Sequence, residues 1–204
     1  MSRFYFVGNN LALDLANTLA ADYERRDVDL TSSYDDLIDW ALEAKILDRR
    51  QVADARRDTD KALRSSVLKQ AIELRTALKS MAAALVAGKA VPKSVIEQIN
   101  SVLARKQGYY QIVRTSDGYK SRLNIEYEDL RDLMLPVAES AMRLLCYSDL
   151  SLVRKCGNPS CVLYFYDTSK RHGRKWCSMD VCGNRAKAAA FYDRNRVGSL
   201  SLKE

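Results

Sequence analysis

The sequence predicts a mainly α protein: a helical domain with one β-hairpin over residues 1–150, then a small cysteine-rich module over 151–204 that ends in a basic helix. Three observations lead there. Leu and Ala are abundant, while only 8 Gly and 3 Pro punctuate 204 residues, which favours long helices over turn-dense sheets. Charge is split unevenly. Residues 1–150 hold 22 Lys+Arg against 22 Asp+Glu and residues 151–204 hold 11 against 4, so the whole net charge of +7 falls in the last quarter. Four of the five cysteines fall there too. Two units with different jobs follow from that coincidence.

With 47% hydrophobic and 29% charged residues, the chain reads as globular rather than disordered. Its longest apolar run, Met81 to Ala87, falls far short of the roughly 20 residues that span a bilayer. Asn9, Asn10, Asp14 and Asn17 interrupt the apolar N-terminus, so no secretory signal is read and no membrane partner is expected. The expected compartment is the cytoplasm, where thiols stay reduced and clustered cysteines point to metal before disulfide.

In chain order, Leu11, Leu15 and Leu19 repeat at i+4 and predict a buried helix over 10–21, capped by Asn9 or Asn10. A polar loop follows. Ser32 or Ser33 caps a helix through Leu37, Ile38, Ala41 and Leu42. Val67, Ala71, Leu74, Leu78, Met81 and Leu85 predict a long helix within 48–87, broken near Asp58 to Asp60. Gly88 suits its C-terminal cap and Pro92 the start of the next helix, with Val95, Ile99 and Val102 on its buried stripe. Tyr109–Arg114 and Tyr119–Tyr127 are β-type stretches with Asp117-Gly118 as the turn. Leu130 to Leu145 returns to helix, with a start or kink at Pro136 and Cys146 on its apolar face.

Cys156 and Cys161 enclose four residues, as do Cys177 and Cys182, and fifteen lie between the pairs. Two close pairs across such a gap suit a structural Zn²⁺ held by four thiolates, each pair forming one edge of a tetrahedron. Gly157, Asn158 and Pro159 supply a turn for the first pair. Ser178 can cap a helix from Met179, which places Cys177 at N′ and Cys182 at N4, positions that approach each other. Gly183 and Asn184 leave two options: a helix that starts late, or a close backbone approach at Gly183. The only histidine, His172, is not needed to complete the site. The module is therefore a four-cysteine zinc finger, treble-clef-like, and its closed site argues against an enzyme. No Gly-rich phosphate loop or metal-ligand His pair is present to suggest one.

This tail resembles the CGNR zinc finger family. The resemblance is carried by Cys156-Gly157-Asn158-Pro159-Ser160-Cys161, Phe165, Asp167-Thr168-Ser169, Trp176-Cys177-Ser178-Met179 and Cys182-Gly183-Asn184-Arg185-Ala186-Lys187. Leu11-Ala12-Leu13-Asp14-Leu15-Ala16-Asn17-Thr18 resembles the ABATE domain that usually precedes this finger. The resemblance implies a bacterial, stress-induced transcriptional regulator with nucleic-acid binding through the finger and a regulatory domain ahead of it.

The residues make an electrostatic case of their own. Lys170, Arg171, Arg174 and Lys175 form a basic loop between the cysteine pairs, and Arg185, Lys187, Arg194 and Arg196 continue along the final helix. Four thiolates on one Zn²⁺ lower the tail's charge only to about +5, so phosphate contact on DNA, or on RNA, is expected. The competing readings are a protein- or RNA-docking module on a helical scaffold, and a small-molecule-binding protein whose finger is purely structural. In the helical domain Asp14, Asn17 and Arg75 are polar residues among apolar ones. They read either as the lining of a small effector pocket, with Arg75 partnering Asp14, or as a polar network that fixes helix packing.

Overall fold

The computed structural model describes residues 3–21, 27–126, 129–189 and 191. Helix α1 (Leu11–Ala16) is capped by Asn10, whose side chain accepts from the N–H groups of Ala12 and Leu13. It ends sooner than the i+4 leucines predict, because Asn17 and Thr18 turn their side chains to other partners. Strands β1 (Leu19–Ala21) and β2 (Asp27–Asp29) then pair antiparallel, Ala20 opposite Val28. The sequence reads as a polar loop there, since three-residue strands are too short to show a period.

Ser33 opens α2 (Tyr34–Glu43) in a capping box with Asp36. Helices α3 (Arg49–Arg57) and α4 (Lys61–Val86) part at residues 58–60, where the sequence predicts the break. Gly88 follows α4 at φ +64°, and α5 (Lys93–Leu103) starts after Pro92. Strands β3 (Gln107–Thr115) and β4 (Gly118–Glu126) form the expected hairpin. Thr115 sits opposite Gly118, so the turn is Ser116-Asp117, one residue earlier than predicted. A 3₁₀ turn (Leu130–Met134) leads into α6 (Leu135–Tyr147), with Pro136 in its first turn, where a missing N–H costs nothing. Cys146 is exposed and not in the core: it lies two residues past buried Leu144, on the opposite side of the helix.

Helix α4 is the spine, about 39 Å long at 1.5 Å per residue. It buries Val67, Ala71, Leu74, Leu78 and Met81 against α1, α2 and α5. Strands β5 (Val153–Lys155) and β6 (Tyr164–Tyr166) pair antiparallel, and both Val153 and Tyr164 belong to this main core. A second, smaller core joins Ala20, Leu163 and Phe165 to Cys156, Cys177 and Cys182. Among the described residues no helix is long and apolar enough to cross a membrane.

Candidate metal centre

Cys156 follows β5 directly, and its N–H donates to Leu163 O at 2.9 Å. Asn158 shapes the turn that brings Cys161 back. Its carbonyl accepts from Cys161 N–H at 2.9 Å and its side chain from Ser160 N–H at 3.0 Å. Gly157 is required there, since a Cβ would lie 2.9 Å from Lys175 Cγ and 3.1 Å from Lys175 O.

The second pair sits on a π-turn (Met179–Gly183) that runs into a helix over 184–189. Ser178 O accepts from both Cys182 N–H and Gly183 N–H, at 3.1 and 3.0 Å. That wide turn sets Cys182 beside Cys177. Of the two sequence options at Gly183 the late start holds, the α-helix beginning at residue 184; the atoms nearest Gly183 belong to the Met179 side chain and not to a backbone.

The four sulfurs lie within 4.8 Å of one another. Cys161–Cys177 and Cys177–Cys182 are 3.7 and 3.6 Å apart. A thiolate tetrahedron with Zn–S near 2.3 Å has edges of about 3.8 Å, so the cage fits Zn²⁺. Two further bonds orient the sulfurs: Cys177 N–H to Cys156 Sγ at 3.4 Å and Asn158 Nδ2 to Cys182 Sγ at 3.6 Å. Thiols this close conflict when left to themselves. A hydrogen bond from Cys177 holds Cys161 down to about 5, while that bond and then burial push Cys177 up; burial pushes Cys182 to about 11. A divalent cation resolves the conflict by giving all four thiolates one counter-charge. His172 is exposed and outside the cluster.

The basic residues divide. Lys170, Arg171, Lys175, Arg185 and Lys187 are exposed, as are Arg154 and Lys155 on β5, which sequence reasoning passed over. Arg194 and Arg196 lie outside the described residues. Arg174, half-buried, is engaged within the protein. Buried Asp167 accepts from Ser169 N–H and Arg174 N–H at 2.9 Å each, folding the loop back on itself. The Arg174 guanidinium then lies 4.2 Å over the Phe165 ring and donates to Trp176 O at 3.0 Å, Val7 O at 2.9 Å and Cys177 O. It ties the finger to the N-terminal segment.

The three polar residues of the helical domain have separate partners. Arg75 does not pair with Asp14. It forks onto Asp29 at 2.5 and 2.7 Å and donates to Thr31 Oγ1 at 2.7 Å. Asp14 Oδ1 accepts from Gly8 N–H at 2.7 Å, and burial pushes its carboxyl up to about 6 despite that bond and the Arg174 charge. Asn17 bonds the backbone of Tyr164. Two clefts, of ≈ 670 and ≈ 350 Å³, are lined by other residues.

Fold and site together define a helical protein with a four-cysteine zinc finger built onto its core. Residues 9–148 match the ABATE family model, described as a putative stress-induced transcription regulator, and residues 153–195 match the CGNR zinc finger. The chain belongs to the ABATE family, carries a CGNR zinc finger behind it, and holds one structural Zn²⁺ on Cys156, Cys161, Cys177 and Cys182. No curated protein matches the chain.

Proposed function

We propose that the chain is a non-enzymatic, cytoplasmic transcription regulator whose finger binds DNA through phosphate contacts and whose first module senses a ligand or partner. One observation carries this reading: the exposed cations Lys170, Arg171, Lys175, Arg185 and Lys187 all stand on the finger, while residues 1–150 have balanced charge. Such cations displace counterions from a duplex, so affinity falls steeply with salt. Zinc has no open coordination position here and acts by holding the basic loop and the helix start in place. The test is fluorescence anisotropy of a labelled random duplex with zinc-loaded protein at two salt concentrations. Salt-sensitive binding that a chelator abolishes is the expected result. No binding at low salt would sink the reading. A protein-docking role has its own support in Met179 and Val181, which expose 49% and 48% of their surface beside the metal centre. Binding to a protein partner would then persist at high salt.

A further inference from the structure

None of the described side chains of residues 107–126, the β3–β4 hairpin, belongs to either hydrophobic core. Among the described residues its two strands pack chiefly on each other. A two-stranded ribbon about 30 Å long is marginal by itself in water, so its exposed face calls for a partner. Register sorts the side chains into two faces. Tyr110, Ile112 and Arg114 share one face with Ser121 and Tyr119, which sit opposite Ile112 and Arg114. Tyr110, Ile112 and Tyr119 expose 77%, 78% and 77% of their surface. Tyr110 and Tyr119 stand four register positions apart, about 13 Å along the ribbon. Lys120 and Arg122 are exposed on the other, polar face, where Asn124 Nδ2 donates to Gln111 Oε1 at 3.0 Å. From 108 to 122 the cations are Arg114, Lys120 and Arg122, against one acid, Asp117 in the turn.

Charge and the chemistry of the tip select the occupant. A second copy carries the same cationic excess, so a face-to-face or edge-to-edge contact would set like charges together. A bilayer calls for an apolar tip, and this tip is Thr115-Ser116-Asp117-Gly118. Paired DNA would use the cations and leave Ile112 and the tyrosine rings in water, since its bases are stacked on one another. Unpaired bases cover such rings while their phosphates meet nearby cations. We propose that the hairpin binds single-stranded nucleic acid, with bases stacked on Tyr110 and Tyr119. Arg114, on the same face, holds the backbone, and Lys120 and Arg122 supply the surrounding positive field. The site is separate from the finger and does not rest on duplex binding there.

The test uses zinc-loaded full-length protein and anisotropy of a labelled oligothymidylate. Wild type should bind it in a salt-sensitive way. Tyr110→Ala and Tyr119→Ala should each weaken binding by about tenfold, while Tyr110→Phe, which keeps the ring, should bind as wild type does. Arg114→Ala should also weaken it and lower the salt slope by about one. Both tyrosines are largely exposed, so thermal unfolding should not change. A duplex of the same length, titrated in parallel, reads the finger, and the tyrosine variants should bind it like wild type. Either reading can then fail alone. The proposal is overturned if wild type does not bind the single strand, or if both Tyr→Ala variants bind it unchanged. Equal losses on strand and duplex, or a loss with Tyr110→Phe as large as with Tyr110→Ala, also overturn it. So does a dimer in sedimentation, or binding to anionic vesicles, that the tyrosine changes abolish, since the face would then have another occupant.

Discussion

Asn17 and Tyr164, 147 positions apart, exchange two hydrogen bonds of 2.9 Å. Asn17 Nδ2 donates to Tyr164 O, and Tyr164 N–H donates to Asn17 Oδ1. The side-chain amide acts as one more rung of sheet. Strand β6 pairs with β5 on one edge, and on the other meets Asn17, Gly8 O (from Tyr166 N–H at 2.8 Å) and Asn9 Nδ2 (to Tyr166 O at 3.1 Å). The end of α1 thereby carries the strand that leads out of the first zinc-binding turn. Asn17→Ala strands a buried N–H and a buried C=O, at about 1–3 kcal/mol each, so the variant should lose about 2–5 kcal/mol in urea unfolding with zinc present. Asn17→Asp should fare no better, since a carboxylate cannot donate to Tyr164 O. A loss under about 0.5 kcal/mol for the Ala variant would show that water replaces the clamp.

Metal removal should reach beyond the finger. Val153 and Tyr164 sit in the main core, and Arg174 reaches back to Val7 O. Structural zinc contributes on the order of 10 kcal/mol to small fingers, so a chelator, or Cys177→Ser, should unfold the metal-binding turns outright. Hydrogen exchange should then show lost protection in α1, β5 and β6, with α3 and α5 keeping theirs. Unchanged protection in α1 would mean that the two modules fold independently despite sharing a core.

Asp14 gives stability a pH dependence of unusual sign for a carboxylate. Burial raises its folded pKa to about 6, against 3.8 for the ordinary group. The folded protein therefore holds the proton more tightly than the unfolded chain. Its contribution is full below about pH 4 and is lost as pH rises through 6, by about 3 kcal/mol in all. Asp14→Asn keeps an oxygen for Gly8 N–H and removes the buried charge. Between pH 4 and 7 the stability of wild type relative to the variant should fall, most steeply between the unfolded and folded values of 3.8 and about 6. A flat difference across that window would show that Asp14 titrates normally. Zinc-linked effects are common to both proteins and cancel in the comparison.

The same residues show what the sequence makes legible. Cysteine spacing is local, so the metal centre and its ligands follow from it directly. The helices follow from their apolar period, and the break at residues 58–60 from its acidic, cap-forming residues. The string from Leu11 to Thr18 marks itself out, yet the duties of Asp14 and Asn17 depend on Gly8 and Tyr164, which no period connects to them. Arg75 stands out as a charge in an apolar helix. Its partner Asp29 lies at the end of a three-residue strand that reads as loop, so Asp14 is the more visible candidate in the sequence. Arg174 counts as +1 in any charge total whichever way it faces. Only the fold back onto Asp167 turns it inward.

That inward turn separates two kinds of basic residue and makes the last prediction. Arg174→Ala removes the donors to Trp176 O, Val7 O and Cys177 O and the cation above Phe165, so stability should drop by about 2–4 kcal/mol. Below its melting range the variant should bind a duplex with the wild-type salt slope, because Arg174 neutralises no phosphate. Arg171→Ala and Lys187→Ala remove exposed charge and should leave stability within about 0.5 kcal/mol. Each should lower the salt slope by about one. Urea unfolding and anisotropy over a salt series, run on the three variants, read both quantities. A slope that falls for Arg174→Ala as it does for Arg171→Ala would place Arg174 on the phosphate after all. It would also mean that the finger opens its basic loop, and releases Val7, when it binds.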